Sequence, residues 1–211
     1  MKIELISYTP DGENMIANLA KATRMSRLDM KQNNKDNNMK FIKHLIKIGH
    51  LGILEHITFT FHVSEISRCL THQLVRHRIA SYLQMSGRHT KPIPYSEGQG
   101  YVIPPSVYKP LKERYGEVNQ LYENAIVSAY DYYNRLIKQG VPVEDARYVL
   151  PPAFYTHIAI TMNARTLRHF FELRCDEHSQ WEIREMAKEM LKICYDKYPV
   201  IFEDLKEKYD G

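Results

Sequence analysis

Apolar and polar residues alternate so strictly in one segment that the pattern predicts a buried strand. Ile57, Phe59, Phe61 and Val63 share one face of residues 57–63, because successive side chains of a strand point to opposite sides. The alternation over residues 2–8 and the β-branched residues over 155–162 predict two further strands.

Longer segments show the three- and four-residue spacing of amphipathic helices. The clearest runs from Lys109 to Gln139, where Gly140 ends it. Its apolar stripe, which we interpret as core or as a subunit contact, is Leu111, Tyr115, Val118, Tyr122, Ala125, Ala129, Tyr133 and Leu136. The other predicted helices cover residues 13–25, 39–48, 66–75, 143–149, 163–174, 180–195 and 202–209, with loops over 31–38, 91–94 and 98–105.

These elements predict an α+β fold, with long helices flanking a small, mostly antiparallel sheet. Few strands alternate with helices, which disfavours a doubly wound sheet. The 211 residues fit one domain, and we assign residues 1–211 to a single catalytic domain. No G-x-G-x-x-G follows a strand and no G-x-x-x-x-G-K is present, so a dinucleotide would have to bind without a Rossmann motif.

Net charge and cysteine content say more about the cellular compartment than about the function. The net charge of +4 suits anionic small ligands as well as nucleic acid. Three scattered cysteines favour a reducing cytoplasm, and no apolar run reaches the roughly 20 residues of a membrane helix. We expect Cys69 and Cys194 to lie in the core and Cys175, beside Arg174, to take no part in catalysis.

Residues 74–88 concentrate cationic and small polar side chains after an apolar segment. On a helix Arg76 and Arg78 would point about 200° apart, so they suit two ligands or two subunits better than one. Ser86, Gly87 and Arg88 bring together a hydroxyl, a closely approachable backbone amide and a guanidinium, the parts of a phosphate cradle. The alternative is a solvated basic patch.

A second polar series runs through a predicted helix and past its end. It consists of Asn163, Arg165, His169, Arg174 and His178. Arg165 and His169 are four residues apart and therefore share a face. The alternative is an ordinary amphipathic helix with its charged side chains in water, but the series is rich in donors rather than in mixed lysine and glutamate.

Together these motifs resemble those of the flavin-dependent thymidylate synthases. Arg76-His77-Arg78, seven residues and Ser86 match the spacing of that family's RHR-x7-S signature. Residues 163–184, NARTLRHFFELRCDEHSQWEIR, are similar to its second block, and Arg147 before a Leu-Pro pair also fits.

The resemblance implies a homotetramer that binds FAD between subunits. Such enzymes convert dUMP to dTMP, with 5,10-methylenetetrahydrofolate as carbon donor and NADPH as reductant, and no enzyme cysteine attacks the uracil. The implied dUMP-binding residues are Gln73, Arg76, Gln84, Ser86, Gly87, Arg88, Arg147 and Arg174. The implied FAD-binding residues are Arg76, His77, Arg78, Gln84, Asn163, Arg165, His169 and His178. Arg174 is the implied catalytic residue, since it would favour the N3-deprotonated uracil.

Three positions depart from the family pattern. Gly52 stands where a serine or threonine is usual, which removes a side-chain contact to the flavin. Gln84 replaces a common glutamate, and His89 stands where a tyrosine is common. We therefore expect weaker FAD retention rather than loss of activity.

Two other functions compete with this interpretation. His50, His56 and His62 lie near Glu55 and suggest a metallohydrolase, although no H-E-x-x-H motif is present. A nucleic-acid-binding module would use arginines on phosphates and tyrosines on bases, but the mild charge argues against it. We expect neither a metal nor a nucleic acid nor a membrane as partner.

Overall fold

The alternating segments form the sheet that the sequence predicts. In the computed structural model, which describes residues 1–23, 35–88, 90, 100–108 and 115–210, four strands make one antiparallel sheet in the order β1-β2-β4-β3. They are β1 (Lys2–Tyr8), β2 (Thr58–Ser67), β3 (Ala80–Gln84) and β4 (Tyr155–Asn163). Phe59, Phe61 and Val63 are fully buried, as their alternation predicts.

Helices make up most of the remaining described chain, which confirms the α+β class. Their bounds are α1 Gly12–Ala22, α2 Lys35–Lys47, α3 Arg68–Leu74, α4 Pro105–Tyr108, α5 Tyr115–Lys138, α6 Val143–Ala146, α7 Ala164–Arg174, α8 Trp181–Lys197 and α9 Pro199–Asp210. Two 3₁₀ helices cover Leu51–His56 and Arg147–Val149.

Side-chain caps mark the beginnings of α7 and α8, and a glycine follows the end of α5. The Asn163 side chain accepts a hydrogen bond from the Thr166 N–H at 2.8 Å and so caps α7. Gln180 caps α8 by accepting from two backbone amides of its first turn. Gly140 follows α5 with a φ of 85°, a left-handed conformation that favours glycine, and the predicted stop at this residue is confirmed.

The chain divides into two compact units. The first consists of Met1–Lys2, Val63–Gln73 and Leu83–Ile158, and the second of Ile3–His62, Leu74–Tyr82 and Ala159–Gly211. In the first unit, α5 contacts α4, α6 and the 3₁₀ helix Arg147–Val149, and its core joins Tyr101, Ile126 and Phe154. The assignment of the whole chain to a single domain stays a prediction.

The core of the second unit is aromatic. The Phe202 ring on α9 meets Phe59 and Phe171 edge to face, at centroid distances of 6.0 and 5.9 Å. Helix α7 packs on α8, α9 and the 3₁₀ helix Leu51–His56. The inner face of α7 is thus held from three sides, which gives a rigid support to its exposed face.

The predicted loop at residues 31–38 is wrong over its last four residues. Helix α2 begins at Lys35, and Asn38 is buried, where its side-chain amide donates to Asn14 Oδ1 at 3.1 Å. An asparagine-rich sequence favours a loop, but this tertiary hydrogen bond outweighs the local preference. Several predicted segments lie outside the described residues. They are the loop residues 31–34 and 91–99, the helix residues 109–114 and, apart from residue 23, the helix end at 23–25.

Strand β3 was not predicted, and the helix predicted from Ile66 begins only at Arg68. Residues 75–79 between them form turns and bends rather than a helix. Ile79 has a φ of 65°, which is a strained conformation for a β-branched residue. The 200° separation of Arg76 and Arg78 on a helix therefore does not apply.

One prediction about burial and one about a loop also need correction. The apolar stripe of α5, interpreted as core or as a subunit contact, is not one of them: Tyr133 is buried and Val118 is 42% exposed, so the choice between the two interpretations stays a prediction. Cys69 is exposed rather than in the core, because α3 turns Leu70 and Leu74 inward and the neighbouring position therefore faces outward. Cys194 is fully buried, as predicted. Pro105, predicted to end a loop, begins α4.

Candidate functional site

The two motif blocks meet in the second unit through His77 and Arg174. Arg174 is the last residue of α7, and its Nε donates to His77 Nε2 at 2.9 Å. His77 is 9% exposed, and its ring meets the Phe170 ring edge to face at 5.0 Å. This contact fixes the imidazole and, through it, the guanidinium.

The electrostatics of the contact require a neutral imidazole. Burial, together with the charges of Arg174 and then His169, lowers the pKa of His77 from 6.5 to about 4. Neutral Nε2 is an acceptor, so the hydrogen bond from Arg174 persists at neutral pH. The two terminal nitrogens of Arg174 make no hydrogen bond to the described residues, and they can bind a ligand oxygen.

Exposed donors follow the outer face of α7. Arg165 Nη1 pairs with Glu55 Oε1 at 2.6 Å, which ties α7 to the 3₁₀ helix Leu51–His56. His169, one turn along, is mostly exposed. The amide nitrogen of Asn163 makes no hydrogen bond to the described residues, while its oxygen caps the helix. These side chains offer donors to an anionic ligand at the beginning of α7.

Arg168 supports the same helix from its buried face, and sequence reasoning did not single it out. It is 5% exposed, and its Nη1 and Nη2 pair with the two carboxylate oxygens of Asp204 at 2.7 and 2.6 Å. Although burial alone would raise the pKa of Asp204, Arg168 holds that pKa below its usual range. The ion pair joins α7 to α9 and contributes no exposed donor.

A pocket of about 540 Å³ opens in the first unit, and two arginines line it. Arg68 begins α3, and Arg147 begins the 3₁₀ helix Arg147–Val149, where its Nε donates to Glu144 O at 3.0 Å. A Cβ at Gly87 would lie 3.1 Å from Arg68 Nη2 and 3.2 Å from Arg147 Nη1. A Cβ at residue 87 would therefore lie in tight contact with both guanidiniums, which would have to move by a few tenths of an ångström.

Gln84 lies at the end of β3 in the same unit. Its Nε2 donates to the Thr71 hydroxyl at 3.0 Å and to the Thr156 hydroxyl at 3.3 Å. The side-chain oxygen of Gln84 remains as an acceptor. A charged glutamate could accept from these hydroxyls but would add a negative charge to a unit whose pocket is cationic.

The remaining predicted residues are mostly exposed. Ser86 and Arg88 lie in a turn after β3, in which Ser86 Oγ accepts from the Arg88 N–H at 3.3 Å. Arg76 and Arg78 are exposed on either side of buried His77. His178 lies beyond α7, and its side chain is 89% exposed.

The structure thus brings together two groups of the predicted residues. His77, Arg174 and His169 form one group in the second unit, and Gly87 and Arg147 form the other in the first. Arg68 was missed, because no motif or spacing in the sequence distinguishes it from an ordinary arginine. The histidines of the metallohydrolase alternative belong to no group of three potential metal ligands in the described part of the chain. Within those same residues, no helix is long and apolar enough to cross a membrane.

The fold and these clusters describe an α+β protein with grouped cationic side chains and no Rossmann motif. The family described as thymidylate synthase complementing protein matches residues 4–200. The flavin-dependent thymidylate synthase of Saccharolobus solfataricus is 45% identical over 214 residues, covering 100% of this chain and 77% of that protein. Its counterpart from Geobacter sulfurreducens is 44% identical over 210 residues, covering 97% and 86%. The chain belongs to the flavin-dependent thymidylate synthase family, a family of enzymes, and the resemblance drawn from its motifs is confirmed.

Proposed function

We propose that the protein converts dUMP to dTMP, with 5,10-methylenetetrahydrofolate as the carbon donor and FAD, reduced by NADPH, as the hydride source. The observation that carries the proposal is the hydrogen bond between His77 and Arg174, which come from the two motif blocks. Family membership supports the reaction, and the cationic clusters match reactants that all carry negative charge.

The donor set on α7 fits a flavin dinucleotide. Arg165 in the first turn of α7 and His169 one turn further face outward, and the amide N–H₂ of Asn163 makes no hydrogen bond within the described residues. Such donors suit a pyrophosphate. With Arg76, His77, Arg78, Gln84 and His178 they would hold FAD, which supplies the hydride when bound. Gly52 lies exposed in the 3₁₀ helix Leu51–His56 and offers no side-chain contact, so retention of FAD would depend on the other donors.

Arg174 would act on the uracil. Its Nε is occupied by His77, so the planar fork of its two terminal nitrogens is presented in one orientation. A guanidinium beside the pyrimidine stabilises negative charge on the ring and favours loss of the N3 proton. His77 remains neutral and acts as a positioning residue for this fork.

The other dUMP-binding residues would hold the phosphate and sugar. Gly87 and Arg147 border the cationic pocket, and Gln73, Gln84, Ser86, Arg88 and Arg76 complete the proposed set. We further propose a single-domain cytoplasmic subunit that assembles as a homotetramer, with each site shared between subunits. Arg76 and Arg78, exposed beside a buried histidine, suit such sharing.

The first test is a visible absorption spectrum of the purified protein, followed by identification of the chromophore released on heating. We expect released FAD and, with dUMP, methylenetetrahydrofolate and NADPH present, the formation of dTMP. A protein that carries no flavin and takes up none when FAD is added would refute the proposal.

Arg174→Ala tests the assigned role directly. We expect FAD to remain bound and dUMP-dependent turnover to fall by at least about 100-fold, since a charged contact made in the transition state is lost. Arg135→Ala, which removes an exposed arginine of α5, is the control and should leave turnover unchanged. Full turnover in Arg174→Ala would show that another group acts on the uracil.

A further inference from the structure

One phenol hydroxyl closes the segment that carries the Arg76-His77-Arg78 motif. Tyr82 lies on β3, and its hydroxyl donates to the carbonyl oxygens of Leu74 and His77, at 2.9 and 3.0 Å. Leu74 is the last residue of α3. The contact therefore joins the end of that helix to the middle of the motif and to the strand that follows it. All of these residues belong to the second unit.

These hydrogen bonds fix the backbone on both sides of His77. A peptide group is planar, so holding one of its atoms restrains the whole plane. The His77 N–H, which belongs to the plane before its Cα, donates to Leu74 O at 3.1 Å. The His77 carbonyl, which belongs to the plane after its Cα, accepts from Tyr82. The direction in which the imidazole leaves the backbone is therefore set from both sides.

The Tyr82 hydroxyl keeps the proton that these contacts need. The side chain is half-buried, and burial raises the pKa of the phenol from 10.0 to about 12. A hydroxyl carries one proton, which here lies between two carbonyl oxygens, one of them on fully buried Leu74. A phenylalanine at this position would fill nearly the same space but would take the donor away from both oxygens at once.

The segment needs such a restraint because it includes a strained residue. Ile79 has a φ of 65°, a conformation that β-branched residues rarely adopt and that persists only where the surroundings impose it. Its side chain is 77% exposed, so the packing of that side chain does little to hold it. The hydrogen bonds of Tyr82 restrain the chain two residues before Ile79. Without them, relaxation of Ile79 would move His77.

We propose that Tyr82 is a positioning residue for the site at Arg174: its hydroxyl holds His77 where the imidazole accepts from Arg174 and so orients the guanidinium towards the substrate. The path is short, because Tyr82 fixes the His77 backbone and His77 Nε2 accepts from Arg174 Nε at 2.9 Å. The Phe170 ring, which meets the imidazole edge to face at 5.0 Å, restrains the ring but not the backbone. The effect on turnover rests on the proposed function, whereas the effect on His77 does not.

The test compares Tyr82→Phe with Tyr122→Phe. Each variant loses one phenol hydroxyl that donates to a backbone carbonyl, and Tyr122 donates to Val102 O at 2.7 Å in the first unit. Both variants should lose stability in urea, which makes Tyr122→Phe the control for a merely structural effect. Tyr82→Phe should lower kcat for dTMP formation by about 10- to 100-fold, because the guanidinium is no longer held in one position. Tyr122→Phe should keep the wild-type kcat.

Nitrogen NMR of His77 provides a measurement that does not need turnover. Burial and the charges of Arg174 and His169 lower the pKa of His77 to about 4 in the wild type. An imidazole that moves out of this environment in Tyr82→Phe loses part of each effect, so its pKa should rise to at least about 5. Tyr122→Phe should leave the pKa of His77 unchanged. A wild-type kcat in Tyr82→Phe, or a wild-type His77 pKa in that variant, would overturn the inference.

A double variant tests the part played by Ile79. Asparagine adopts the left-handed conformation more readily than isoleucine, so Ile79→Asn relieves strain without removing a hydrogen bond of Tyr82. In the Tyr82→Phe background it should raise kcat by about threefold or more and return the pKa of His77 towards 4. Purely additive effects of the two substitutions would show that the hydroxyl does not hold the segment against strain.

The two measurements separate this inference from the proposed function. If the wild type forms no dTMP but the pKa of His77 rises in Tyr82→Phe and not in Tyr122→Phe, the positioning role stands and the proposed function fails. If the wild type forms dTMP and Tyr82→Phe matches it in kcat and in the pKa of His77, the proposed function stands and the positioning role fails.

Discussion

The neutral state of His77 makes the stability of the protein depend on pH in a predictable window. The perturbation is His77→Gln, which keeps an oxygen to accept from Arg174 Nε but cannot take up a proton. In the wild type the folded imidazole has a pKa of about 4 against an ordinary 6.5. Above pH 6.5 it is neutral in both states, so its contribution is fully present there, and that contribution is lost as the pH falls towards 4.

The magnitude follows from the difference between the two pKa values. Between them the unfolded chain binds a proton that the folded protein does not, so stability falls by about 1.4 kcal/mol per pH unit at most. At pH 5 the loss is about 2 kcal/mol, and by pH 4 it approaches about 3 kcal/mol. The variant lacks this loss, whereas every other titrating group contributes equally to both proteins.

The assay is urea denaturation of wild type and His77→Gln at pH 7, 6 and 5. We expect the wild type to lose about 2 kcal/mol more than the variant over this range. Nitrogen NMR of the wild type should find His77 neutral at pH 6, with its proton on Nδ1. Parallel curves for the two proteins would refute a depressed pKa and, with it, the assignment of His77 as the neutral partner of Arg174.

Two further predictions concern residues away from that contact. Cys175→Ala should keep wild-type turnover, because the buried thiol is not proposed to attack the uracil; loss of dTMP formation with FAD still bound would contradict this. Gly12→Ala should lower the free energy of unfolding by about 1–3 kcal/mol, because its Cβ would lie 2.9 Å from both Ile57 Cδ1 and Tyr198 Oη. Gly52→Ala, with open space around it, is the matched control in the same denaturation assay, and equal stabilities would count against the predicted clash.

Sequence reasoning predicted best where one local pattern decides the structure. The alternation around Phe59 predicted the beginning of β2 closely, although the strand continues to Ser67, and the spacing of the later helices predicted α7 and α8, because the apolar period and the caps agree there. The loop that became α2 was mispredicted, since a buried hydrogen bond of Asn38 is a tertiary property. Strand β3 was missed because its five residues carry too little periodicity to identify a strand.

In the candidate site, too, local motifs were predictable and tertiary contacts were not. The motif pointed to His77 and Arg174, which are 97 residues apart, but not to the hydrogen bond between them or to the neutral imidazole that it requires. Arg68 lies outside the motif, and only its approach to Gly87 and Arg147 distinguishes it from an ordinary arginine at the beginning of a helix. Whether an arginine has an ion-pair partner can be decided only from the folded structure, because its neighbours are distant in sequence.

The ion pair between Arg168 and Asp204 determines how far a disturbance of α9 would spread. Because α7 carries the proposed FAD donors on one face and this pair on the other, the two helices should open together in hydrogen exchange, as one cooperative element. A cut of the chain ahead of α9 would leave a buried guanidinium without its counter-ion. An affinity tag or fusion joined near α9 is therefore expected to alter flavin binding, although α9 carries none of the proposed FAD-binding residues.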